Sequence, residues 1–254
     1  MKHERLARCP SYLQDLVADT TDARRAVTAH EAWRRMREGT ITPVQHRNML
    51  VGFWPLIERF PQYLALNILK TTHGRDTAQN AARSWLARNL RVEQQHAEWY
   101  LDWCEAAGFP RDDVWDGDRP IPMTAIADWC SQVCAAGDLA EAMVATNYAI
   151  EGATGEWTPG VASSPAYRAL LSSTTPEAGL KWLQAHADYD DTHPWDALDI
   201  VGALVGPDPA PARVRELRRA AHKSYALYRS ALDTALDASR DARTASPRAA
   251  TTRG

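Results

Sequence analysis

The sequence predicts a single all-α domain, a bundle of seven or eight helices. None of its 254 residues falls in a segment that sustains the apolar–polar alternation of a half-buried strand, and no fixed-period repeat is present. Helix punctuation recurs instead. Thr42-Pro43-Val44-Gln45 reads as N-cap, first-turn proline and capping box, and Gly108 as a helix stop. Nothing divides the chain in two, and its length suffices for one large core.

In order, Ser11 to Arg37 should be helical, broken near Thr20-Thr21-Asp22. The helix opened by Thr42 should run to about Lys70, with kinks at Pro55 and Pro61. Asp76 caps the next, which reaches Ala107, and Phe109 to Pro122 reads as a polar loop. Helices follow over Met123 to Ala136 and Leu139 to about Trp157, the second ended by Pro159-Gly160. After a short segment from Ala166 to Leu171, Thr175-Pro176-Glu177 starts a helix carrying His186 to His193, which Pro194 interrupts. The last runs from Ala212 to about Asp237. The domain spans residues 1–240, and the Ala-, Thr- and Arg-rich 241–254 is expected to be a disordered tail.

With 45% hydrophobic and 24% charged residues, the composition is that of a soluble globular protein. A net charge of -3 gives no electrostatic case for nucleic acid or an anionic membrane. No apolar run reaches the length of a membrane span, and the N-terminus (MKHERLARCP) lacks a signal peptide's apolar core, so a cytoplasmic location is expected. Four cysteines form no CxxC pair. Cys130 and Cys134, one turn apart, read as small core residues. Ten tryptophans against three phenylalanines point to a core or a cavity lined with large rings.

Chemistry-bearing residues recur on four helices. His186, Asp190 and His193, at i, i+4 and i+7, would share one face of an unbroken helix and could bind a transition metal. Alone, this stretch reads more simply as a solvated acidic face, with Asp188, Asp190, Asp191, Asp196 and Asp199 crowding it. Glu93-Gln94-Gln95-His96 places carboxylate and imidazole side by side at i, i+3, although such pairs are common on surfaces. Glu151 stands in Asn147-Tyr148-Ala149-Ile150-Glu151-Gly152-Ala153-Thr154-Gly155 with no other charge nearby, the setting of a buried, partnered carboxylate. Glu58 follows an apolar run but precedes Arg59, with which a surface pair is the simpler reading. Together, three imidazoles and four carboxylates suit two irons, or manganese, better than zinc.

The order Glu58, Glu93-x-x-His96, Glu151, His186-x-x-x-Asp190-x-x-His193 resembles the heme-oxygenase-like diiron oxidase/oxygenase family. So do the separations of 35, 58 and 35 residues, the run Tyr148 to Gly152 and the stretch Glu93 to Trp103; the resemblance spans Ala32 to Tyr228. It implies a seven-helix heme-oxygenase-like fold and two Fe(II) ions held by these seven side chains, with O2 as cosubstrate. An external electron donor, a small-molecule substrate and a homodimer are implied too. The ligand split it suggests sets Glu58, His96 and His193 around one iron and Glu151, His186 and Asp190 around the other, with Glu93 between. Asp188, Asp191 and Asp199 are candidate partners for the histidines' second nitrogens.

Such enzymes oxidise small amines, amino acids or fatty acids. The tryptophans tilt the expectation toward N-oxygenation of a small nitrogen compound in specialised metabolism, with Trp54, Trp99, Trp157 or Trp182 as its aromatic faces. The alternative is C–C cleavage or desaturation of an amino acid or fatty acid, its carboxylate met by Arg59, Lys181 or Lys223; a fatty acid is the less expected, since the helices show no unusually long apolar wall. Two further readings stay open. Thiamin-pyrimidine hydrolases share the fold and use a cysteine nucleophile without metal, for which Cys130 and Cys134 are candidates. A non-catalytic helical binding module would leave the acids and imidazoles incidental. Without metal, the segment from about Ala185 to Trp195 is expected to be irregular, since Pro194 and the clustered aspartates oppose a helix.

Overall fold

The computed structural model describes residues 2–172, 176–189 and 192–237, so the tail 241–254 lies outside the described residues. Four short helices come first: α1 (Lys2–Leu6), α2 (Ser11–Asp19), α3 (Thr21–Thr28) and α4 (Glu31–Glu38). The single helix with one break expected over Ser11 to Arg37 is therefore three. Thr20 turns its hydroxyl back to the Leu16 carbonyl at 2.8 Å, and His30 caps α4 by accepting from the Ala32 amide at 3.2 Å. Helix α5 (Pro43–Leu69) opens on the capping box, whose two hydrogen bonds between Thr42 and Gln45 are both 3.2 Å. It continues through Pro55 and Pro61 because packing against its neighbours offsets the amide bonds the prolines remove.

After α6 (Thr77–Ala106), capped by Asp76, the expected polar loop holds a helix, α7 (Arg111–Asp116), and α8 (Ile121–Ala136) begins inside it. Pro110 and Pro120 stand at the N-caps of these helices, a signal within the expected loop that was not singled out. A continuous stretch then joins α9 (Leu139–Met143), a π-helical segment (Val144–Glu151) and α10 (Gly152–Ala162), passing through Pro159 to end five residues later than expected. The short α11 (Pro165–Arg168), α12 (Pro176–Tyr189), α13 (His193–Val205) and α14 (Pro211–Leu236) complete the chain.

The architecture is all-α among the described residues, its long members being α5, α6, α8, the stretch from α9 to α10, α12, α13 and α14. Helix α5 packs on α6 and α8, α12 lies against α6 and α10, and α14 crosses α8 and the π segment. No helix among the described residues is long and apolar enough to cross a membrane.

The approach of α12 to α6 is set by Gly179, since a Cβ there would overlap the Cβ of Ala106. A methyl on a short stem cannot swing aside, so the two helices would have to part. Gly179→Ala is expected to cost ~1–3 kcal/mol by overpacking, about 2–4 °C of Tm for each kcal/mol, measured by thermal melts.

Candidate functional site

Helix α6 presents Glu93 and His96, the π segment ends on Glu151, α12 carries His186, and α13 opens on His193. Glu93, His96, Glu151 and His186 are all buried. Glu93 Oε2 lies 3.0 Å from His96 Nδ1, the rings of His96 and His186 are 4.5 Å apart, and His193 Nδ1 is 3.9 Å from Glu151 Oε1. Five of the seven expected residues thus gather where three helices and the π segment meet. Asp190 lies outside the described residues.

Glu58 does not join them. It is exposed and accepts from Gln62 at 3.1 Å. On α5, Met49, Leu50, Phe53, Leu56, Ile57 and Phe60 share the inward face, and one further residue of helical rotation turns Glu58 away. The one unbroken helix expected to carry His186 and His193 is also corrected. Helix α12 ends at Tyr189 and α13 starts at His193, with Pro194 in its first turn, a position proline favours. Of the segment from Ala185 to Trp195 expected to be irregular without metal, the residues up to Tyr189 belong to α12, those from His193 to α13, and 190–191 lie outside the described residues. The proximities differ from the suggested ligand split as well: His96 adjoins His186, and His193 adjoins Glu151.

The orienting partners are local. His186 Nδ1 donates to the Trp182 carbonyl at 2.8 Å, one turn back, which leaves Nε2 a bare lone pair. Asn147 Nδ2 donates to Glu151 Oε2 at 2.7 Å from i-4, a pair visible in the sequence but not singled out there. Of the expected acceptors, Asp188 is exposed, Asp199 pairs with Arg5 at 2.7 Å, and Asp191 lies outside the described residues.

Burial pushes the Glu93 carboxyl up to about 8, partly offset by His193. It pushes His96 down to about 4 and His186 well below the usual imidazole range. At neutral pH Glu93 therefore keeps its proton while His96 and His186 are uncharged. His96 Nε2 is buried with no hydrogen-bond partner among the described residues, and the tautomer that donates Nδ1–H to Glu93 makes it a lone pair. As the side chains stand, no three acid, imidazole or thiol groups among the described residues form a finished metal site. The donor types, the orphaned nitrogen and the fixed His186 tautomer nonetheless fit iron.

These groups form one wall of a narrow, partly open slot with a cavity volume of ≈ 40 Å³. The α5 residues named above line it with Trp33, Tyr100, Trp103, Ile150, Trp157, Trp182 and Tyr228. The tryptophan count hinted at such a lining without saying which rings; Trp157 and Trp182 belong to it, Trp54 and Trp99 do not. No Lys or Arg is among the lining residues. Arg59 pairs with Asp128 at 3.0 Å, and Lys181 and Lys223 lie over Trp99 and Trp129. Cys130 and Cys134 are in the α8 core away from this lining, and burial raises both thiols, Cys134 to about 12.

Residues 47–229 match the model of a family described as iron-containing redox enzyme. No curated protein matches the sequence. Among solved structures, a TenA homologue from Pseudomonas syringae pv. tomato is 40% identical over 91% of this chain and 95% of its own, with a TM-score of 0.88. A protein of heme oxygenase-like fold from Shewanella denitrificans is 16% identical, with 94% and 98% covered and a TM-score of 0.72. A protein described as a TenA-like thiaminase, from Sulfolobus solfataricus, is 13% identical, with 88% and 95% covered and a TM-score of 0.64. With its heme-oxygenase-like fold and a family match over most of its length, this chain belongs to the iron-containing redox enzymes.

Proposed function

We propose that the protein is a non-heme diiron oxidase that uses O2 to cleave or desaturate an unbranched aliphatic carboxylic acid. The observation that carries this is the slot: narrow, walled by apolar side chains, without a lining cation, and closed on one side by buried acids and imidazoles. Glu93, His96, Glu151, His186 and His193, with Asp190, would hold the metal ions. Bound iron would supply the electrons that reduce O2 and the positive charge that anchors the substrate.

Charge selects the head group. Two divalent ions against the carboxylates of Glu93, Glu151 and Asp190 leave a single net positive charge. A fourth carboxylate from Glu58 would have cancelled it, and Glu58 is turned away. An anion is favoured over an ammonium group, so fatty-acid oxidation now stands ahead of N-oxygenation of an amine. The α5 lining from Met49 to Phe60 rises roughly 16 Å, an apolar track beside the cluster along which an alkyl chain would lie.

Trp182 adds a donor. Its Nε1–H is buried with no partner among the described residues, and its ring lies 3.9 Å from that of His186. A substrate carboxylate would satisfy it. Trp182→Phe is expected to lower kcat/KM by about ten- to hundredfold, the worth of a hydrogen bond to a charged group at about 1.5–3 kcal/mol, read by steady-state kinetics. The decisive experiment loads ferrous iron anaerobically, then mixes in O2 with a series of saturated fatty acids or matched alkyl amines. Oxidised, shortened or unsaturated product from acids supports the proposal; turnover of amines alone overturns it.

A metal-free thiaminase-type hydrolysis is favoured by the descriptions of the similar structures. Its nucleophile would have to be a thiol, and Cys9, Cys104, Cys130 and Cys134 are buried outside the cavity lining. Full hydrolysis of an aminopyrimidine substrate by chelator-treated protein would establish it.

A further inference from the structure

From the acid and imidazole cluster a file of rings leads away through the core. Trp182, beside His186, stacks on Trp103 at 5.2 Å and 19°. Trp103 Nε1 donates to the Tyr167 hydroxyl at 2.7 Å, and that hydroxyl lies 2.8 Å from His46 Nε2. All four side chains are buried. Half-buried Phe109 packs edge-on against His46 at 5.6 Å, so the file ends one side chain beneath the surface.

The proton in this network has an assignable place. An indole nitrogen only donates, so the Tyr167 oxygen accepts from Trp103. The phenol's own proton then points to His46 Nε2, the remaining partner of that hydroxyl among the described residues. Burial holds His46 at about 4 and Tyr167 far above its usual range, leaving a neutral imidazole facing an intact phenol. Two neighbouring rings have carbonyls in place of such a base: Tyr100 donates to the Leu50 carbonyl at 2.9 Å and Trp33 to the Val27 carbonyl at 2.8 Å.

We propose that Tyr167 and His46 form a redox-active pair that exchanges electrons with the cavity through Trp103 and Trp182. One electron leaves Tyr167 by way of the two indoles and reduces a one-electron oxidant at the cavity, the iron site in its oxidised state. The Tyr167 O–H bond breaks and a bond to that proton forms at His46 Nε2, leaving a neutral tyrosyl radical beside an imidazolium. An electron from an external one-electron donor, with the same proton returned from His46, restores the phenol. An oxidising equivalent that meets no substrate thus leaves the cavity instead of attacking its wall. The traffic with the cavity rests on the proposed oxidase; the oxidisability of the pair does not.

The two parts are tested separately on the full chain. In metal-free protein, a ruthenium polypyridyl complex is oxidised by a laser flash with a sacrificial acceptor, and the products are freeze-quenched for EPR. A neutral tyrosyl radical is expected, formed more slowly in D2O and lost in Tyr167→Phe. It should also be lost in His46→Gln, whose amide oxygen keeps the hydrogen bond but is no base. An undiminished signal in either variant, or no D2O effect in the wild type, overturns the pair. In the second arm ferrous protein meets O2 without substrate. The same radical is expected, and its loss in Trp103→Phe, where the pair is intact, marks the route. Iron-loaded protein that consumes O2 with no Tyr167-dependent radical overturns the relay. Protein that binds no iron fails the oxidase proposal instead, and the photochemical arm still decides the pair.

Discussion

Glu151→Ala is expected to lose oxidation down to background and to lose ferrous iron with it. The carboxylate ends the π segment, fully enclosed, oriented by Asn147 at 2.7 Å and adjacent to His193. A supporting partner such as Asn147 should be worth roughly 10–100-fold in metal affinity, and a direct ligand more. The fold should survive, because the variant removes a buried ionisable group along with its bonds. The remaining cost is the stranded Asn147 amide, about 1–3 kcal/mol. Glu151→Gln separates the terms, keeping an acceptor for Asn147 while losing the charge. Glu58→Ala should leave iron binding unchanged. Anaerobic ferrous titration with helical melts of each metal-free variant measures both quantities, and turnover retained in Glu151→Ala would sink the assignment.

Iron affinity is expected to climb about tenfold per pH unit from about pH 6 toward pH 8, roughly a hundredfold in all, because one proton must leave Glu93. Burial holds that proton up to about 8, while His96, low at about 4, offers no competing one. His96 and His193 are the titratable groups facing Glu93 among the described residues. The metal-free protein should behave oppositely. A carboxyl raised on folding contributes stability that is full below its unfolded value and is lost as pH rises through about 8. Imidazoles lowered on folding contribute above their unfolded value, and that contribution is lost as pH falls through about 4. Between about pH 6.5 and 8 the metal-free Tm should therefore fall with pH from Glu93, while the stabilisation by iron grows. Anaerobic melts with and without ferrous iron across that window measure it; a metal effect independent of pH would show Glu93 already ionised.

What the sequence determined by itself lies within a turn or two of helix. The Thr42–Gln45 capping box, the Glu93–His96 pair and the isolation of Glu151 among uncharged residues depend only on neighbours at i+3 or i+4, and each stands as read. A proline is ambiguous where a start and a stop look alike: Pro194, read as an interruption, opens α13, as Pro110 and Pro120 stand before α7 and α8 in the stretch read as a loop. Only the tertiary structure decided the rest. Glu58 sits in an apolar run, but whether it or Ile57 faces inward depends on the rotation of α5 against α6 and α8, and a single residue step of about 100° reverses the answer. The width of the slot, its lack of cations and the file from Trp182 to His46 join residues far apart in the chain, 121 positions between His46 and Tyr167 alone. Local rules constrain backbone and capping but carry no information about which distant side chains share a space. Packing of α5, α6, α10 and α12 sets that, and with it the substrate the site can hold.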